Sequence, residues 1–280
     1  MAGMQRYRAE KLLATDLAKE TAKEEMVMNS RAFDLYKGIM TEAAWLTAKE
    51  SWMLLTFLEG YFEEGTINAL KMKPSDRKWR MFACATVRSI ANGIDNDLCR
   101  KCLEIAEQFA DGLVDVGILQ QFQHAAEEQT WPDQWQGIPA PYTANFIAGR
   151  AGITQKGRDC YAMARWVSGM VWQVIMATEE VHWENFETLR AKREEYECEL
   201  IRCIFGNPFH PITLDSAWLT PKVKLLAKAN YDDRAFERMP ELADALEQGG
   251  CTNQDILNHC RGLGPHVKGC WALDLLLGKE

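Results

Sequence analysis

Cysteine and histidine side chains concentrate near the end of the chain, and both are common zinc ligands. The group comprises Cys251, His259, Cys260, His266 and Cys270. His266 and Cys270 are four positions apart, so on one helix they would share a face and reach the same ion. Cys251, His259 or Cys260 would then complete a tetrahedral set of ligands. The sequence alone therefore makes this group a candidate for structural zinc.

A second interpretation of the same residues is more ordinary. The spacing matches no zinc-finger pattern, and paired Cys-x-x-Cys knuckles are missing. Free cysteines usually behave as small buried hydrophobic residues, and histidines often cap helix ends or bond to the backbone. We therefore predict no cofactor and keep zinc as the alternative.

Two shorter motifs have ordinary explanations. Cys99 and Cys102 flank two basic residues, which would favour a thiolate, but the motif lies in a helical pattern and follows no strand. Glu179 and His182 form Glu-x-x-His, half of the di-iron motif of ferritin-like bundles, and the sequence has no second copy. It also has no nucleophile elbow, Walker loop, dinucleotide fingerprint or His-Glu-x-x-His motif. The sequence favours a protein that is not an enzyme, without deciding the point.

One dense basic cluster precedes and opens a predicted helix. It consists of Lys71, Lys73, Arg77, Lys78 and Arg80, with Trp79 among them. Positive charge beside an aromatic ring can contact a nucleic-acid backbone and stack on a base. However, Asp76 lies within the cluster, and the apolar face of the helix has the composition of a core. A solvated face or intramolecular salt bridges are favoured, and nucleic-acid contact is kept as an alternative.

Helix signals run along the whole sequence, whereas alternating strand patterns are nearly absent. Thr41, Ser75 and Thr220-Pro221 are predicted helix starts, and Thr252 is predicted to cap a short helix. Gly206-Asn207-Pro208 is a predicted helix end. We predict an all-α protein, a multi-helix bundle with a compact C-terminal helical subdomain.

The predicted domains are separated by a segment that no regular element can cross. Residues 131–142 are rich in Pro, Gly and Trp and form the best boundary candidate. This segment divides an N-terminal helical domain, residues 40–130, from a C-terminal helical domain, residues 143–280. Residues 1–39 are predicted to be a helical extension.

The predicted N-terminal extension is a candidate docking element. Its apolar residues make only a partial helical stripe, consisting of Leu13, Leu17, Met28, Phe33 and Tyr36. Such a helix can dock in the groove of another protein, or fold back on its own body. The chain also has ten Trp, eleven Phe and twelve Met residues, and Trp and Met are enriched at interfaces.

Composition excludes several broad classes of protein. The 280 residues are 47% hydrophobic and 26% charged, which excludes a wholly disordered, collagen-like or membrane-embedded chain. The net charge of −8 disfavours broad binding to duplex nucleic acid. The charged start of the sequence has no signal-peptide core, and nine cysteines lie mostly among apolar neighbours. We therefore expect a cytoplasmic protein with reduced thiols and no membrane partner.

Several segments resemble the C-terminal module of a large family of helical proteins that is abundant in planctomycete bacteria. They are Ile204–Phe209, Trp218–Thr220, Tyr231–Phe236, Leu242–Leu246, His259–Gly262, Gly264–Val267 and Gly269–Trp271, and Thr41–Leu46 and Ser75–Ala83 resemble its N-terminal part. The resemblance covers roughly Met40 to the end of the sequence, and residues 1–39 depart from the family pattern. It implies a bacterial, cytoplasmic, helical protein, and it carries over no activity or catalytic residue.

These observations together predict a non-enzymatic protein-interaction module. We expect an accessory or adaptor subunit of a larger bacterial assembly, with another protein as its partner. A zinc-binding protein using the C-terminal Cys/His group is one alternative. An accessory subunit that contacts nucleic acid through Lys71 to Arg80 is another.

Overall fold

The computed structural model describes residues 40–59, 73–130, 158–178 and 183–279, and every regular element within them is helical. The all-α prediction is therefore confirmed. Three short 3₁₀ turns lie between α-helices, and the described residues contain no strand. The helices are α1 (Glu42–Thr47), α2 (Ser51–Glu59), α3 (Asp76–Arg88), α4 (Asp97–Ala110), α5 (Val116–Thr130), α6 (Arg158–Thr178), α7 (Trp183–Phe205), α8 (Pro221–Asp232), α9 (Met239–Gln248), α10 (Gln254–Arg261) and α11 (Trp271–Leu277).

Helix starts follow the local capping chemistry of the sequence. The Thr41 hydroxyl accepts a hydrogen bond from the Ala44 N–H at 3.1 Å, which satisfies one of the free donors at the start of α1. Ser75 and Thr220 cap α3 and α8 in the same way. The cap of α10 is Asn253 and not Thr252, because it is the Asn253 side chain that reaches the N–H of the third helical residue.

Helix α3 is the centre of the larger of two hydrophobic clusters. Its residues from Trp79 to Val87 are all buried, because α4, α6 and α7 pack around it. The Trp79 ring lies 4.8 Å from the ring of Phe205 on α7 and 5.0 Å from that of Tyr161 on α6, measured between centroids. This first cluster draws its buried residues from the described parts of residues 40–205.

Helices α8 to α11 form the second cluster. Cys203, in the last turn of α7, belongs to this cluster, whereas its neighbours Ile204 and Phe205 belong to the first. The predicted connection at residues 131–142 lies outside the described residues. Within the described residues the packing changes at the end of α7, since the buried side chains of α6 and most of α7 belong with α3.

A buried ionic network joins the two clusters. The Asp274 carboxylate, only 2% exposed, accepts hydrogen bonds from Arg77 at 2.7 and 2.9 Å and from Lys78 at 2.5 Å. Arg77 also donates to Asp111 at 3.0 Å. Because Arg77 and Lys78 lie on α3 while Asp274 lies on α11, these bonds tie the first cluster to the last helix.

Asp111 is the second buried carboxylate of this network. The Tyr231 hydroxyl donates to it at 2.8 Å, and the Lys279 ammonium lies 3.0 Å from its second oxygen. Burial alone would raise the pKa of Asp111, but the hydrogen bonds from Lys279 and Tyr231 and the charge of Arg77 lower it below its usual value. Asp111 is therefore a charged member of this network, which we call the ionic joint.

None of the described helices combines the length and the hydropathy that crossing a membrane requires.

Replacing Asp274 with Ala should cost about 3–5 kcal/mol in the free energy of unfolding, because Lys78 loses its carboxylate partner among the described residues and Arg77 keeps only Asp111. Glu104→Ala removes a half-exposed ion pair with Lys101 and is the matched control, with an expected cost below about 0.5 kcal/mol. Urea unfolding followed by circular dichroism measures both. Equal costs for the two variants would mean that the ionic joint does not hold the clusters together.

Candidate metal centre

Four side chains from three segments of the chain converge beside the ionic joint. Cys203 lies in the last turn of α7, His259 lies on α10, His266 lies in the loop that follows, and Cys270 immediately precedes α11. Their ligand atoms all lie within 4.8 Å of one another. Both cysteines are buried, and the two histidines are half-buried.

The dimensions of this group are close to those of a tetrahedral zinc site. Zinc bound to two thiolates and two imidazoles holds its ligand atoms about 3.3–3.8 Å apart. His259 Nε2 lies 3.1 Å from the Cys270 sulfur, and the two histidine rings are 4.9 Å apart and nearly perpendicular. The widest separation in the group exceeds the ideal range by about 1 Å, which small side-chain rotations can close.

The hydrogen bonding of His266 leaves one nitrogen available to a metal. Its Nε2 lies 3.1 Å from the backbone oxygen of Gly262, and since a carbonyl only accepts, Nε2 carries the proton. Its Nδ1 is buried and makes no well-formed hydrogen bond with any described residue, although the Cys270 sulfur lies near this ring. Metal-binding histidines typically donate their other N–H to a carbonyl or carboxylate in this manner. A metal ion in the group would satisfy the buried Nδ1.

The pKa values of the two cysteines shift in opposite directions. Burial would raise the pKa of Cys270, but the Cys203 thiol and the two histidines lower it well below its usual value. Burial, together with the neighbouring Cys270 sulfur, raises the pKa of Cys203 well above its usual value. Cys270 is therefore the cysteine that loses its proton more readily, and a metal bound by both sulfurs would displace the protons that remain on the pair.

Lys78 holds both cysteine-bearing segments in place. Its ammonium donates to the backbone oxygens of Ile204 and Gly269, each at 2.9 Å, and these residues adjoin Cys203 and Cys270 respectively. The third donor contact of Lys78 is the one to Asp274. The ionic joint and the metal group are therefore connected through a single side chain.

The loop before α11 requires glycine at position 269. Its φ of +88° is a conformation that other residues rarely adopt, and an added Cβ would lie 2.6 Å from the Cβ of Met81 on α3. The Cys270 segment is thereby pressed against the central helix. The backbone at Gly269, rather than a helix, brings Cys270 to the group.

The structure brings together three of the five predicted ligands, His259, His266 and Cys270. Cys251 and Cys260 are buried in the second cluster but are not part of the group, and burial raises the pKa of both. The expectation that His266 and Cys270 share a helix is wrong, because residues 262–270 form a loop. Cys203 was missed, and no spacing in the sequence distinguishes it from Cys198 on the same helix.

The structure gives no support to a reactive Cys99–Cys102 pair and does not describe two of the other predicted sites. Cys99 and Cys102 are buried on α4, where burial raises the pKa of Cys99 to about 11 and that of Cys102 to about 12, so both are neutral thiols. Glu179 and His182 lie outside the described residues, as do all five residues of the predicted docking stripe, Leu13, Leu17, Met28, Phe33 and Tyr36.

Three of the five residues of the basic cluster make contacts with other residues of the same chain. Arg77 and Lys78 are engaged in the ionic joint, and Arg80 is buried with its guanidinium 5.0 Å from the centre of the Phe109 ring. Lys73 is exposed, and Lys71 lies outside the described residues. This arrangement supports intramolecular salt bridges and gives the nucleic-acid alternative no support.

Comparisons with protein-family models, with curated proteins and with solved structures find nothing that matches the chain. The resemblance to the planctomycete family therefore stays a prediction.

Gly269→Ala should destabilise the protein by about 1–3 kcal/mol, because the new methyl group collides with Met81 and the backbone is strained. Gly264→Ala in the same loop is the control, since an added Cβ there meets nothing within 4 Å and its cost should be near zero. Thermal unfolding compares the two variants. A loss at Gly264 equal to that at Gly269 would show that the loop tolerates neither and that the contact with Met81 is unimportant.

Proposed function

We propose that the protein binds zinc in a closed structural site made by Cys203, His259, His266 and Cys270. The convergence of four donors from three segments of the chain, α7, α10 and the loop before α11, within 4.8 Å is the observation that carries the proposal. Two thiolates and two imidazoles form one of the usual sets for structural zinc, whereas catalytic zinc keeps a position open for water. Here protein atoms fill all four coordination positions of the zinc ion. Its role is therefore to stabilise the fold.

The need for such a cross-link follows from the size of the elements involved. Helix α10 has eight residues and α11 has seven, and isolated helices shorter than about 12–15 residues are marginal in water. The loop between them has little regular structure of its own. Zinc joins α10, this loop and the start of α11 to the end of the long helix α7.

An interaction role is the second candidate. Leu113, Val116 and Ile118 lie close together in the chain where α4 connects to α5, and all three are exposed, Leu113 to 71%. Clustered exposed apolar residues often mark a contact with another protein. We propose that the zinc-stabilised body is an accessory or adaptor subunit of a bacterial assembly, with residues 1–39 as a further docking element. We place it in the cytoplasm, where its nine buried cysteines, none of them in a disulfide, would stay reduced.

Zinc content after expression and purification tests the metal site. Wild-type protein should carry about one zinc per chain by inductively coupled plasma mass spectrometry, and Cys203→Ala should lose it. Cys198→Ala is the matched control, because Cys198 is also fully buried on α7 but lies outside the group. Cys260→Ala separates the observed ligand set from the one expected from sequence, and it should keep the metal.

Cobalt substitution provides a second measurement on the same variants. Co²⁺ bound by two thiolates and two imidazoles shows the strong visible absorption of a tetrahedral site, and wild type and Cys198→Ala should both show it. Folded wild-type protein that binds neither Zn²⁺ nor Co²⁺ would refute the metal site. Loss of zinc in Cys260→Ala but not in Cys203→Ala would assign a different set of ligands.

Purification of the protein with its partners from native cells tests the adaptor proposal. A partner in fixed ratio should accompany the full chain, and it should be reduced in Leu113→Glu/Ile118→Glu or in a chain that begins at Met40. Lys73→Glu, which changes an exposed residue elsewhere, is the control and should retain the partner. If the full chain purifies from these cells with zinc bound and without a partner, the adaptor proposal is wrong and the zinc proposal is unaffected.

A further inference from the structure

The joint between the two hydrophobic clusters holds more positive than negative charge. It contains three buried carboxylates, and each is contacted by two cations. Asp274 has Arg77 and Lys78, and Asp111 has Arg77 and Lys279. The third carboxylate, Glu107, is 4% exposed and has Arg88 at 2.6 Å and Arg234 in close contact.

Lys268 adds one more cation. Its ammonium lies 5.3 Å from the centre of the Tyr231 ring, on which the Lys279 ammonium also rests at 4.6 Å. Among the described residues no carboxylate forms an ion pair with Lys268. The surface carboxylate Asp232, which is near it, is paired with Lys228. The joint therefore has six cations for three carboxylates, in a chain whose net charge is −8.

The backbone at Arg234 is strained in the same region. Its φ of +56° makes it the one described non-glycine residue in the left-handed conformation, two residues after the end of α8. Glycine or asparagine usually occupies such a position, and another side chain there costs about 1 kcal/mol. Strain of this kind is concentrated at functional sites. In this conformation the Arg234 guanidinium donates a hydrogen bond to Glu107, near Lys268.

We propose that Arg234 and Lys268 bind the phosphate group of a small molecule at the joint between the clusters. A partly buried excess of positive charge is unfavourable without a counter-anion, and a dianionic phosphate neutralises most of it. The Arg234 guanidinium offers a planar fork of donors that suits phosphate oxygens, and Lys268 supplies a point charge. Arg88, Arg234 and Lys279 are each about 30% exposed, so the anion has access from solvent.

The phosphate site is independent of the proposed zinc function, although Lys268 belongs to the loop that carries two of the zinc ligands. Arg234 lies outside that loop. Arg234→Gly therefore removes the anion ligand without touching the metal group, and glycine suits the positive φ. Arg88 continues to pair with Glu107 in this variant, so we expect it to fold.

Isothermal titration of the full, metal-loaded chain with inorganic phosphate tests the site, in buffer held at constant ionic strength with chloride. Wild type should bind phosphate saturably with one site per chain. Arg234→Gly and Lys268→Gln should each weaken the affinity about tenfold or more, as expected for the loss of one charge-assisted hydrogen bond. Lys224→Gln, an exposed lysine on α8, is the control and should change the affinity less than about twofold.

Two results would overturn the proposal. One is the absence of saturable phosphate binding by wild type, or an equal loss in Lys224→Gln, which would reduce the effect to net charge. The other is much tighter binding of a short single-stranded DNA than of phosphate, abolished by Arg234→Gly, which would assign the surface to nucleic acid. The metal content of each sample is measured in parallel, so a defect in the zinc site is recognised separately.

Discussion

The buried carboxylate of Asp274 makes the most direct ionic connection between the central helix of the first hydrophobic cluster and the last helix of the second. It lies on the last helix and is contacted by Arg77 and Lys78 from the central helix of the first cluster. A buried carboxylate is tolerated only where cations and hydrogen bonds replace the water it has lost. Because these bonds require α11 to lie against α3, the ionic joint also helps to position the start of α11, where Cys270 lies.

Lys78 extends this constraint to the metal group. Its contacts to the backbone beside Cys203 and beside Cys270 place the two sulfurs from segments that are far apart in sequence. Zinc would complete the arrangement from the other side, joining α10 and the loop to the same two segments. The ionic joint and the proposed metal therefore constrain the same short helices, which could not be stable alone.

The distribution of charge in the joint differs from that of the whole chain. The overall net charge of −8 predicts repulsion of phosphates, whereas the joint between the two clusters brings together six cations and three carboxylates. Solvent-exposed charges that lie farther from a bound anion than the screening length, about 8 Å in physiological salt, have little effect on it. The anion therefore responds to the charges near it and not to the net charge of the chain. The net charge of the chain therefore says little about whether it has one small anion-binding site.

The sequence by itself determined the helices of this protein, because their starts and ends depend on neighbouring residues. Thr41, Ser75 and Thr220 cap helices as predicted, and Gly206 follows the end of α7 with a φ of +72°. Such capping involves side chains within three or four residues of each other, so local chemistry is sufficient. Where two capping residues were adjacent, Thr252 and Asn253, composition could not choose between them.

Only the tertiary structure decided which of these residues meet. Cys203, Cys251 and Cys260 have the same chemistry and are all buried, yet only Cys203 reaches His259, His266 and Cys270. Arg77 and Lys78 formed a basic cluster in the sequence, and they are internal ion-pair partners in the fold. The physical reason is the same in both cases. A ligand set or an ion pair depends on distances between segments far apart in the chain, and the packing of the helices sets those distances.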